Sequence, residues 1–315
     1  MRIDVHAHYY PTAMIKRAER LGSDLSAVRR ISLASEEKAD LEARLKMMDE
    51  AGVDMQALSV SSTQPYYESA NEAADAARES NDLYAELVAR HPKRFSAFAA
   101  VPLPHVDAAM KELERALDQL KMVGMTIGTS VINRSAAEEA FEPIYAELNR
   151  RGSVLFVHPA GLGVCSPLIR DFQLTWVCGA PFEDTMFALH LIRRQIPQRY
   201  PKIKIIVPHL GGALPVLFTR VDATKPMYAA QNAEAPTATL KRLWYDTVAQ
   251  NNTPGLKCAV TQFGADRLVY GSDYPYQLHR EYLNSVKYVQ ESGLPKADID
   301  KILDQTAARL LGFDR

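Results

Sequence analysis

Arg2-Ile3-Asp4-Val5-His6-Ala7-His8 opens the chain and runs into Tyr9-Tyr10-Pro11. Ile3 and Val5 alternate with Asp4 and His6, the period of two that marks a short strand. Side chains at i and i+2 of a strand point to the same face, so His6 and His8 stand side by side. Two imidazoles held by one strand suit half of a metal site, because zinc and its neighbours favour neutral histidine nitrogen; a pair of histidines that merely ends a strand is the other reading. The residues after the strand bear on the fold. A doubly wound sheet would call for a glycine-rich phosphate loop here, and His-Ala-His-Tyr-Tyr-Pro is not one.

Outward from this strand, helix and strand alternate. Residues 9–37 are rich in small and polar residues and too long for a plain βα connection, so they read as a short lid-like insertion with some helix. Leu41, Leu45, Met47 and Met48 then recur at helical spacing, Gly52 stops that helix, and Met55-Gln56-Ala57-Leu58-Ser59-Val60 reads as strand two. The pattern repeats through strand three at 95–101, four at 125–128, five at 154–157, six at 203–207, seven at 243–246 and eight at 267–270. Eight β-rich runs alternating with helices imply parallel strands joined by right-handed crossovers. The expected fold is therefore α/β, a (β/α)8 TIM barrel with residues 1–315 as one domain.

The 37 basic and 38 acidic residues leave a net charge of −1, so no overall field recruits nucleic acid or an anionic membrane. No cationic and apolar leader opens the chain and no apolar run approaches membrane-spanning length, so it reads as soluble and cytoplasmic. Cys165, Cys178 and Cys258 form no CxxC, and their odd number argues against a disulfide framework. Cys165 sits in a loop, where packing is the ordinary fate of a free thiol.

The residues that end the strands carry the chemistry. Strand one ends in His6 and His8, strand five runs into His158, strand six passes Pro208 into His209, and strand eight passes Gly271-Ser272 into Asp273. In a (β/α)8 barrel these ends face one mouth, where active sites of this fold sit. The other four histidines are placed elsewhere: His91 closes a helix, His105 precedes one, His190 rides one, and His279 lies in a loop beyond strand eight.

Taken together, HxH after strand one, a histidine after each of strands five and six, and Gly271-Ser272-Asp273-Tyr274-Pro275 resemble the amidohydrolase superfamily. Finer matches resemble its branch of aminocarboxymuconate-semialdehyde and hydroxybenzoate-type decarboxylases. They are residues 52–59 (Gly-Val-Asp-Met-Gln-Ala-Leu-Ser), 155–159 (Leu-Phe-Val-His-Pro), and 200–205 running to His209-Leu210-Gly211-Gly212. The resemblance covers nearly the whole chain. It implies His6, His8, His158 and Asp273 as ligands of one divalent metal, with a water completing the shell, and His209 as an acid/base group rather than a fourth imidazole ligand. Binuclear members carry a carboxylated lysine after strand four. Residues 125–130 hold none, so one ion is expected, zinc by its nitrogen and oxygen donors, with manganese fitting the same set. The resemblance also implies that Arg220 holds a substrate carboxylate across a homodimer interface, a task suited to the planar guanidinium fork. A pairing of Arg220 with Asp222 at the surface is the other reading. Arg44 and Lys46 lie where those decarboxylases carry a further arginine, and neither aligns with it. Trp176, in the long loop after strand five, is a candidate wall of the substrate pocket or a residue that only packs the loop.

The sequence thus leads to a metal-dependent, non-oxidative decarboxylase of a small unsaturated or aromatic carboxylic acid, working as a homodimer or higher homo-oligomer. Asp273 or His209 is expected to protonate the carbon that loses CO2. A hydrolase opening a lactone or amide, a hydratase, and a barrel that binds metal or a partner without turnover are the alternatives, because fold and metal do not fix function.

Overall fold

A computed structural model describes residues 1–314 other than 24, 26, 27, 29 and 30. Eight parallel strands form its sheet: β1 (Ile3–His8), β2 (Met55–Ser59), β3 (Phe95–Ala99), β4 (Gly124–Gly128), β5 (Val154–His158), β6 (Lys204–Val207), β7 (Trp244–Asp246) and β8 (Leu268–Val269). Each pairs with the next in sequence, with helices between. The seam between β8 and β1 shuts through main-chain bonds. Val5 N–H donates to Tyr270 O at 3.0 Å, Asp273 N–H to His6 O at 2.8 Å, and His8 N–H to Tyr274 O at 2.7 Å. This is the expected (β/α)8 barrel.

Strands covered on both sides need apolar residues on both faces, and here almost every strand residue is buried. Ile3, Val5, Ala57, Phe98, Phe156 and Ile206 belong to one inner cluster, plugged from below by Ala308 and Leu310. A larger cluster lies between strands and helices. The β1–β2 register slips between Asp4 and Ala7. This bulge lets Val5 join the inner cluster while the His6 ring also reaches Phe156, at 5.2 Å.

The insertion after β1 contains the helix Thr12–Arg20. It is tied to the barrel by Tyr10 N–H donating to Ala34 O and the Tyr274 hydroxyl donating to Leu33 O, both at 2.8 Å. Residues 24, 26, 27, 29 and 30 of the expected lid lie outside the described residues. Residues 130–131 and 134–135 form a small antiparallel hairpin that the sequence reading lacks. It turns on Ile132 and Asn133, at φ 46° and 60°. A β-branched residue in that region is an outlier, so Ile132 gives no turn signal.

Arg44 is 2% exposed and belongs to the scaffold. It donates to His8 O at 2.5 Å and to Gln56 Oε1 at 3.2 Å, and its guanidinium lies 4.2 Å from the Tyr274 ring centre. Arg44→Leu strips His8 O and Gln56 of their donor. It is expected to cost about 2–4 kcal/mol, read as a lowered denaturant midpoint at unchanged m.

Candidate active site

His6 and His8 from β1, His158 from the end of β5 and Asp273 from the loop after β8 each offer one ligand atom, all within 4.8 Å of one another. Asp273 Oδ1 lies 3.3 Å from both His6 Nε2 and His8 Nε2. Two ligands each about 2.0–2.1 Å from a common tetrahedral ion stand about 3.3 Å apart, so the spacing suits a shared cation. His6 Nε2 is buried with no hydrogen-bond partner. Its Nδ1 faces Asp246 Oδ2 at 2.7 Å, and His158 Nδ1 faces Pro159 O at 2.9 Å. Those contacts fix which ring nitrogen is left to bind, as outer partners of metal-bound histidines do. The donor set therefore fits a divalent ion.

The charges of His8, His158 and Asp273 agree with that fit, while His6 must give up its proton to an incoming ion. Burial works against a charged His6, but the Asp246 and Asp273 carboxylates overturn it and push the imidazole up to about 10. Burial wins at His8, which falls to about 4, and burial with the neighbouring His8 and His6 holds His158 well below the ordinary histidine range. Burial alone would raise Asp273, yet the neighbouring His6 and His8 keep its carboxyl far below the usual carboxylate range. Neutral imidazoles at His8 and His158 beside an ionised carboxylate are the states that metal binding requires.

Beneath this cluster, Asp4 is fully buried and accepts from Ser272 N–H at 3.0 Å, Ser272 Oγ–H at 2.6 Å, His6 N–H at 3.1 Å and Gln56 Nε2 at 3.0 Å. One carboxylate thus locks the strand carrying His6 to the loop carrying Asp273.

His209 stands beside the four, its ring 5.3 Å from that of His6 and 6.3 Å from that of His158. Its Nδ1 lies 2.8 Å from Oδ2 of Asp184, a fully buried residue on the helix Ala180–Arg193. Its backbone N–H donates to Asp246 Oδ1 at 2.9 Å. Burial disfavours the imidazolium, but the facing Asp184 carboxylate carries the His209 pKa above its ordinary value.

Above lies a cavity of about 580 Å³ whose lining includes His158, His209 and Asp273, with Trp176, Val216 and Tyr276 among its walls. Trp176 is thus a wall residue. Arg220 is exposed on the helix Leu214–Ala223 and does not line this cavity. Asp222 accepts instead from Thr237, at 3.0 Å from its N–H and 2.6 Å from its hydroxyl. Lys46 lies on the surface near Glu50, and Cys165 is exposed. His105 and His190 bond to Tyr67 O and Ser135 Oγ, away from the cluster.

Sequence reasoning missed Asp246 and Asp184. Asp246 ends β7 and would have been found by extending the strand-end rule to strand seven. Asp184 carries no such signal, since only the packing of its helix turns it toward His209.

The fold and site define a (β/α)8 barrel with a candidate metal centre at its mouth, and the chain belongs to the amidohydrolase family, whose model matches residues 3–313. It is 32% identical over 303 residues to 6-methylsalicylic acid decarboxylase of Penicillium expansum, covering 94% of this chain and 91% of the relative. It is 26% identical to 2-amino-3-carboxymuconate-6-semialdehyde decarboxylase of Dictyostelium discoideum, covering 87% and 77%. Among solved structures, dihydroxybenzoic acid decarboxylase of Polaromonas sp., with bound manganese and the inhibitor 2-nitroresorcinol, superposes with a TM-score of 0.84. That pair covers 100% and 97% of the two chains at 24% identity.

Proposed function

We propose that this enzyme removes CO2 non-oxidatively from a small aromatic carboxylic acid, with His6, His8, His158 and Asp273 holding one divalent ion. The observation that carries the reading is the joining of that four-ligand cluster to a cavity walled by Trp176 and Tyr276 in a chain whose relatives are named decarboxylases. Three imidazoles and a carboxylate suit zinc, and manganese, which the Polaromonas structure holds, fits the same donors. Bound there, the ion supplies positive charge against which an anionic substrate is held.

The residues do the rest. The cavity walls orient a planar ring over the ligand cluster. His209, which faces the cavity with Asp184 behind it, holds a proton and delivers it to the ring carbon bearing the carboxylate. The bond from that carbon to the carboxylate then breaks, its electron pair returns to the ring, and CO2 leaves. Asp273, whose carboxylate would bind the ion, is the second candidate for that proton transfer. Arg220, exposed in its own chain, is left free to reach a second copy and hold a further substrate carboxylate there.

The test is CO2 release from a panel of hydroxybenzoates, 6-methylsalicylate among them, and unsaturated dicarboxylic acids, with metal-loaded and metal-stripped protein. Release that requires the metal is expected. None across the panel from fully loaded protein overturns the reading and directs the search to lactones and amides. Asp184→Asn is expected to lower kcat about 10- to 100-fold with little change in KM. The sign of its pH effect follows from the raised pKa of His209. Protonated His209 is present below that pKa and lost as pH rises through it, so removing the Asp184 charge moves the alkaline limb of the pH–rate profile to lower pH.

A further inference from the structure

Glu183 precedes Asp184 on the same helix but faces the opposite neighbour. It is 5% exposed, and its carboxylate gathers four donors. Oε2 accepts from Thr129 Oγ1 at 2.9 Å, Ala160 N–H at 2.7 Å and Gly161 N–H at 3.2 Å, and Oε1 from Val164 N–H at 3.4 Å. Three of these donors belong to the loop that leaves His158.

That loop is strained. Gly163, Val164 and Cys165 stand at φ 57°, 56° and 57°, and a β-branched residue in the left-handed region persists only where its surroundings over-determine it. The loop also supports the cavity wall. A Cβ on Gly161 would lie 2.8 Å from the Trp176 ring, so the indole rests directly on the backbone that Glu183 holds. A carboxylate in the first turn of a helix is further favoured by the helix dipole.

We infer that Glu183 is a positioning residue that sets substrate affinity by clamping residues 160–164 and, through them, Trp176. It touches neither the ligand cluster nor the cavity's reacting end. The inference rests on the decarboxylase reading only for its kinetic half, because the position of Trp176 is measurable without turnover.

The experiment compares Glu183→Gln and Glu183→Leu in a Trp244→Phe background, which leaves Trp176 as the sole indole. Glutamine keeps one oxygen for the three donors at Oε2, whereas leucine keeps none. The expected result is a graded rise, leucine above glutamine above the parent, in KM and in acrylamide quenching of Trp176. KM should rise about tenfold in the leucine variant with kcat changed less than about threefold. Metal content stays at the parent value. If the leucine variant fails to fold, the glutamine variant decides by the same two readings. Parental quenching and KM in a folded variant overturn the clamp, as does a loss of bound metal. If no acid in the panel is turned over, the functional reading has failed and quenching alone decides this one.

Discussion

Asp273→Asn is expected to abolish CO2 release, lowering kcat/KM by about 10³-fold or more, and to leave purified protein depleted of divalent metal. One oxygen of this residue lies 3.3 Å from a nitrogen of both His6 and His8. It is the only negative charge in the four-ligand cluster. Asparagine preserves shape but offers a neutral oxygen to the ion, or turns an N–H₂ toward it. Metal analysis beside a CO2 assay separates two effects. Loss of metal with loss of turnover places Asp273 in the ligand shell, whereas full turnover by metal-replete Asp273→Asn protein sinks the proposed site.

The second large effect is structural in origin. Gly212→Ala is expected to destabilise the fold by about 4 kcal/mol or more and to remove activity with it. Gly212 adopts φ 63° with ψ −120°, a conformation closed to side chains. A Cβ there would stand 2.0 Å from Pro181 O and 2.6 Å from Thr185 Oγ1. The Thr185 hydroxyl already donates to Pro181 O and accepts from Ala213 N–H, each at 2.8 Å. This close approach seats the helix carrying Asp184 against the turn carrying His209. An unfolding free energy from chemical denaturation within about 1 kcal/mol of the parent would refute the argument.

Much of this site was legible because a parallel barrel converts sequence into geometry simply. A residue that ends a strand faces the mouth, so His6, His8, His158 and Asp273 could be placed together from their positions alone. His209 followed from the same rule. Its orienting partner did not, because whether Asp184 or Glu183 turns inward depends on how their helix seats. The strained run at 163–165 was equally hidden. Val164 and Cys165 favour no left-handed turn, and the Val164 N–H bond to Glu183, 19 residues further on, leaves no mark in the local pattern. The bulge in β1 was also out of reach, since Ile3-Asp4-Val5-His6 reads as even alternation. Arg44 illustrates the reverse case. It lies near β2, where the resembling decarboxylases carry a further arginine, yet its guanidinium is spent on His8 O and Gln56 within the scaffold.

The seam between β8 and β1 has a bearing on how the protein comes into being. Chains leave the ribosome amino terminus first, and domains fold as units. His6 and His8 are therefore synthesised early, whereas Asp273 lies 265 residues beyond His8. An ion met by the nascent chain finds imidazoles without their balancing carboxylate until the last strand zips onto the first. On the proposed ligand set, tight retention of metal waits for that event, and the retained ion then favours the completed barrel by mass action. Retention of the metal is thereby coupled to closure of this seam.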